Sequence, residues 1–112
     1  RWVKLFLEDS YMLSRVLDDV DPDVVIHTAS ETNVDACEEY REYAFRINVE
    51  ATRQIAKWCG RYGRFMIYIS TDYVFDGEKG MYTEGDVPRP VNFYGLTKLL
   101  GEEAVRSSCE RY

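Results

Sequence analysis

Gly63-Arg64-Phe65-Met66-Ile67-Tyr68-Ile69-Ser70-Thr71 is a short, almost continuously apolar run, entered from a glycine and closed by a hydroxyl pair. A run of this length, rich in β-branched and aromatic residues, predicts a strand covered on both faces, as in a parallel sheet. Working back, Pro22-Asp23-Val24-Val25-Ile26-His27-Thr28 has the same character and predicts a second such strand. Trp2-Val3-Lys4-Leu5-Phe6-Leu7 is a third candidate strand.

Helical patterns lie between these runs. From Ser10 to Val20, Leu13, Val16, Leu17 and Val20 fall at helical spacing, with Asp9 or Ser10 available as N-cap. From about Glu39 to Tyr62, Tyr43, Ala44, Ile47, Ala51, Ile55 and Trp58 share one side, and Gly63 is placed to cap the end. A last helix is predicted from near Asn92 through Leu99, Leu100, Ala104 and Val105. Between Asp76 and Pro90, three glycines and two prolines mark an exposed loop. Strands alternating with helices imply an α/β fold, the central part of a Rossmann-like doubly wound parallel sheet. Ligands in such sheets bind beyond the carboxyl ends of the strands, which points to Thr28-Ala29-Ser30 and Ser70-Thr71-Asp72.

Composition limits the function classes. The chain has 112 residues, 46% hydrophobic and 30% charged, enough for one packed domain or part of a larger one. A net charge of −6 argues against a nucleic-acid backbone as partner. No apolar run is long enough to predict a membrane span, and no stretch within residues 1–112 resembles a signal leader. Cys37, Cys59 and Cys109 are odd in number and widely spaced, which fits free thiols in a reducing cytoplasm. His27 is the only histidine, so neither zinc ligation nor a Ser-His-Asp mechanism is supported. Asp35, Glu38, Glu39 and Glu42 read as the solvated start of a helix rather than a metal site.

The chemistry concentrates in Tyr94-Gly95-Leu96-Thr97-Lys98. Residues four apart on a helix share a face, so phenol and ammonium project into the same space. A free tyrosine with a pKa of about 10 is a poor acid at neutral pH. A neighbouring cation favours the phenolate and makes the group a usable proton donor. Given the numbers of Tyr and Lys, chance supplies roughly 0.3 such spacings, so the pair draws its meaning from its surroundings.

Those surroundings resemble one family. Ile69-Ser70-Thr71-Asp72-Tyr73-Val74-Phe75-Asp76-Gly77, then Tyr82-Thr83-Glu84, Pro88, Pro90, Asn92 and Tyr94 to Glu102, are similar to the dTDP-4-dehydrorhamnose reductase family of extended short-chain dehydrogenase/reductases. Pro22 to His27, Thr32-Asn33-Val34-Asp35 and Asn48-Val49-Glu50-Ala51-Thr52 resemble it in order and spacing. The resemblance implies NAD(P)H-dependent reduction of a 4-keto-6-deoxy sugar nucleotide, with NADPH or NADH as cofactor. It implies Tyr94 as proton donor, Lys98 as its tuning charge and ribose ligand, and Thr71 on the reacting carbonyl. Thr28, Ala29 and Ser30 match cofactor-lining positions, Asp9 the adenosine end, and Asn48 the helix asparagine that stabilises the site. Thr32, Val34 and Tyr73 match positions near the sugar. No metal is implied, and a homodimer is compatible with the family.

Phe6 stands where the family often has an acidic residue, which leaves NAD against NADP open. A glycine-rich first βαβ unit and a C-terminal substrate lobe are not found in residues 1–112, so the chain is expected to be a partial NAD(P)-binding domain, truncated at both ends and inactive alone. Two alternatives remain. The regulatory subunit of methionine adenosyltransferase resembles the same reductases and carries a Tyr-x-x-x-Lys helix. Sugar-nucleotide epimerases and dehydratases share that pair but usually differ after the strand-end Ser-Thr. Thr71 and the Thr32 to Asp35 turn favour the reductase.

Overall fold

Asp9 begins the first helix by accepting a hydrogen bond from the Met12 N–H at 3.0 Å in the computed structural model, which describes residues 2–112. Helix α1 (Ser10–Val20) buries Leu13 and Leu17 and stops at Asp21, whose φ of 45° is left-handed. Strand β1 (Val24–His27) follows. Helix α2 (Val34–Glu39) starts where the Asn33 side chain accepts from the Ala36 N–H at 2.9 Å. Then come α3 (Arg41–Phe45), a π-helical turn (Arg46–Glu50) and α4 (Ala51–Tyr62). Gly63 ends α4 with φ 63°, a conformation that costs glycine nothing. Strand β2 (Phe65–Tyr68), a 3-10 turn (Asp72–Val74) and α5 (Phe93–Ser108) are the last elements among the described residues.

The two strands pair in parallel, with Val24 opposite Phe65 and His27 opposite Tyr68. Parallel pairing requires a crossover, supplied here by α2, α3 and α4. Arg64 fixes the entrance to the pair by bridging Asp21 at 2.7 Å and Asp23 at 3.2 Å. Side chains alternate across the sheet, and the inner set meets α1, α4 and α5 in a core built on Leu13, Leu17, Ile55, Trp58, Met66 and Val105. Trp58 satisfies its indole N–H on Asp18 at 2.8 Å.

Two expectations change. The strands are covered on one face only: Val24, Ile26 and Ile67 remain 48%, 63% and 39% exposed. Trp2 to Leu7 forms no strand, because the sheet among the described residues holds only β1 and β2. The segment keeps a strand-like alternation nevertheless. Leu5 and Leu7 pack against the core, Phe6 faces out, and the chain turns as the Asp9 N–H reaches the Phe6 carbonyl. No helix among the described residues is long and apolar enough to cross a membrane.

Candidate functional site

The end of β2 and the first half of α5 meet in one corner. Helix α5 starts at Asn92, whose side chain accepts from the Gly95 N–H at 2.7 Å, so the cap fixes which face Tyr94 and Lys98 share. Glu38 secures the same end by accepting from the Phe93 N–H at 2.9 Å, and that bond, with Arg41 beside it, holds its carboxyl below the usual range. The acidic cluster is therefore more than a solvated helix start, since one member ties α2 to α5. Among the described residues, no group of acidic, His or Cys side chains is arranged to hold a metal ion.

Thr71 sits where β2 gives way to the 3-10 turn. Its hydroxyl accepts from the Tyr73 N–H at 3.3 Å and orients the turn against α5. A Cβ at Gly95 would lie 2.2 Å from the Tyr73 carbonyl oxygen, so only glycine lets helix and turn approach this closely. Tyr73 meets the Tyr94 ring edge-on, with centroids 5.7 Å apart. Tyr94 is itself nearly buried, in a small cluster with Cys37, Ala44, Val34 and Phe93. Val34, read as a substrate position, thus packs against the cluster that holds Tyr94.

Lys98 is 4% exposed and its ammonium donates to the Ile69 carbonyl at 2.6 Å. Burial lowers its pKa from the ordinary lysine value, and the negative charge of Glu102, one turn further along, opposes that shift. Glu102 in turn accepts a hydrogen bond from Ser70. Tyr94, Lys98 and Glu102 consequently form one stripe facing the end of β2.

A buried polar relay lies beneath this stripe. Asn48, in the π-turn, accepts from the Glu31 N–H at 2.7 Å and donates to the Glu31 carbonyl and to Thr97 Oγ1, each at 3.0 Å. Thr97 donates to the Tyr94 carbonyl at 2.7 Å. Asn48's amide is thereby engaged within the protein, holding the Glu31 turn against α5. Thr52 donates its single hydroxyl proton to the Asn48 carbonyl at 2.8 Å. It therefore accepts from His27 Nε2 at 2.9 Å, which places the imidazole proton on that nitrogen. Burial, with the Lys98 charge adding to it, drives the His27 pKa down to about 4.

The remaining predicted positions lie outside this corner. Thr28 and Ala29 are exposed after β1, and Ala29 and Ser30 line a groove of about 270 Å³ with Leu5, Phe6, Leu7 and Glu8. Small side chains on one wall and a backbone open at the strand end fit a flat cofactor. Asp9 is exposed beyond that segment and caps α1, while Thr32 is exposed just before Asn33. The site residues that sequence reading passed over are Tyr68, Glu102, Thr97 and the His27–Thr52 pair. Only Glu102 carried a local signal, as the next member of the four-residue spacing after Lys98.

Comparison with known proteins bears on the family and the fold. The family model described as RmlD substrate binding domain matches residues 4–112. A hypothetical dTDP-4-dehydrorhamnose reductase from Sulfolobus tokodaii superposes with a TM-score of 0.88 at 48% identity, covering 91% of this chain and 37% of that one. A dTDP-4-dehydrorhamnose reductase from Bacillus anthracis, solved in complex with NADP, gives 0.91 at 35% identity, covering 96% and 39%. Methionine adenosyltransferase 2 subunit beta from Bos taurus is 44% identical over 99 residues, 88% of this chain and 30% of that protein. The chain spans about a third of the length of these relatives, and the Rossmann-like parallel fold is common to chain and solved structures.

Proposed function

From the premise that this chain belongs to the RmlD substrate binding domain family, we propose that the full-length protein reduces the 4-keto group of a 6-deoxy sugar nucleotide with NAD(P)H. The observation that carries this reading is the Tyr94–Lys98 stripe, buried against the strand end that bears Thr71. When bound, a nicotinamide cofactor would supply a hydride to the carbonyl carbon. Tyr94 gives its phenolic proton to the carbonyl oxygen, so the products are the alcohol and the oxidised cofactor, and solvent returns the proton. Lys98 stabilises the phenolate left on Tyr94 and offers its ammonium to the cofactor ribose. Thr71 donates to the oxygen as negative charge develops there. Thr28, Ala29 and Ser30 form the floor for the cofactor, with Asp9 toward its adenosine end. Asn48 keeps the Glu31 turn in place, and Thr32, Val34 and Tyr73 border the sugar.

The test is NADPH oxidation by the full-length protein with a dTDP-4-keto-6-deoxy sugar, run beside Tyr94→Phe. Losing the proton donor is expected to cost about 10²–10⁴ in rate. No oxidation by the wild type would sink the reductase reading, and equal rates would sink the role of Tyr94. The identity to methionine adenosyltransferase 2 subunit beta favours a second reading, a regulatory subunit that binds a catalytic partner. Under it, the wild type leaves the keto sugar untouched and co-purifies with a methionine adenosyltransferase catalytic chain.

A further inference from the structure

A buried lysine ordinarily needs a carboxylate in contact, and Lys98 has none: its hydrogen bond goes to a neutral carbonyl, Ile69 O, at 2.6 Å. What lies against the ammonium instead is the face of Tyr68, with Nζ 4.4 Å from the ring centroid. We propose that Tyr68 is a positioning residue for Lys98, its ring face holding the ammonium charged and fixed against the end of β2. The inference rests on the proposed role of Lys98 as the charge beside Tyr94.

Several observations converge on this ring. Tyr68 projects inward from the last position of β2, and its hydroxyl lies 3.5 Å from the Lys98 carbonyl, so one side chain touches both ends of the lysine residue. Gly101 is cut to receive it, because a Cβ there would lie 2.2 Å from the Tyr68 hydroxyl and 2.7 Å from its ring carbon. His27 flanks the ring at 5.8 Å between centroids and stays neutral, so it adds no competing charge. Of the titratable groups around the ammonium, Glu102 stabilises it, Tyr94 shares its helix face, and Tyr68 is itself kept protonated by burial. A desolvated cation over an aromatic face is among the stronger cases of that interaction. The arrangement gives the lysine a stabilising partner that cannot neutralise it. A carboxylate in contact would bind the ammonium so closely as to screen it from the phenolate.

The test compares rings of nearly constant shape, all lacking the hydroxyl, that differ from one another in electrostatics. In the full-length protein, phenylalanine and its mono-, di- and trifluoro forms are placed at position 68, and amine acylation of Lys98 is followed by mass spectrometry at fixed pH. Withdrawing electron density from the ring weakens its hold on the ammonium. The Lys98 labelling rate is expected to climb stepwise, by roughly tenfold over the series. The rate of keto-sugar reduction is expected to fall in the same order. Flat labelling across the series overturns the proposal, also where Tyr68→Leu lowers the melting temperature, since the ring would then be filler. If labelling follows fluorination while no keto sugar is reduced by any form, the role of Tyr68 stands and the reductase reading falls. Should Tyr68→Leu fail to fold, the fluorinated series still decides.

Discussion

Acidification should weaken this fold through His27, and the size of the effect follows from its surroundings. The imidazole is 5% exposed, its Nε2 proton is committed to Thr52, and the Lys98 ammonium lies near enough to disfavour a second positive charge. Its folded pKa is about 4 against an unfolded value of 6.5. Between those limits the unfolded chain binds a proton that the folded chain refuses, so stability present above pH 6.5 is lost as pH falls toward 4. At about 1.4 kcal/mol per unit, the loss is roughly 3 kcal/mol. Carboxylates add their own pH dependence, and a reference variant removes it. His27→Gln keeps a donor for Thr52 and cannot be protonated. Urea unfolding of wild type and variant at half-unit steps from pH 7 to pH 4 gives the difference curve. The wild type should lose ground steadily to the variant on acidification. A difference flat with pH would show that the ring titrates normally and that the burial argument is wrong.

Two further substitutions probe the frame around the site. Asn48→Ala strips partners from the Glu31 turn and Thr97 together, and denaturant unfolding should register a loss of roughly 3 kcal/mol. Gly95→Ala gains about 1 kcal/mol of helix propensity yet drives a methyl into the Tyr73 carbonyl, so a thermal melt should show net destabilisation of about 1 kcal/mol.

What the sequence disclosed depended on how local the cause was. Asp9, Gly63 and Asn92 mark element ends because each acts on backbone a few residues away, and the structure puts all three at caps. The runs before Thr28 and Ser70 announced strands through composition alone. Asn33 starts α2 without a periodic signal in the sequence, because that helix is too short to show one. The bare outer faces of Val24 and Ile26 follow from the partial domain expected, although an apolar run by itself is silent about what covers it. The same limit hid the site's lower layer. His27 stands 25 residues from Thr52, and Tyr68 stands 30 from Lys98, so neither pair leaves a trace in spacing. Tyr94 and Lys98 were visible only because one helix turn brings them together.

The π-turn at Arg46–Glu50 has a consequence for how this protein can change over evolutionary time. A helix advances about 100° per residue, and a π-turn takes up an extra one. Before the turn, Ala44 faces Cys37 and Tyr94; after it, Ala51, Ile55 and Cys59 face the sheet and α5, with Asn48 at the seam. The two halves are out of phase, and each is keyed to a different neighbour. Deleting one residue at the seam would leave both halves helical while swinging one of them by about a quarter turn away from its partner. Residue count across this segment is therefore under tighter constraint than residue identity, and its relatives should vary in sequence here long before they vary in length.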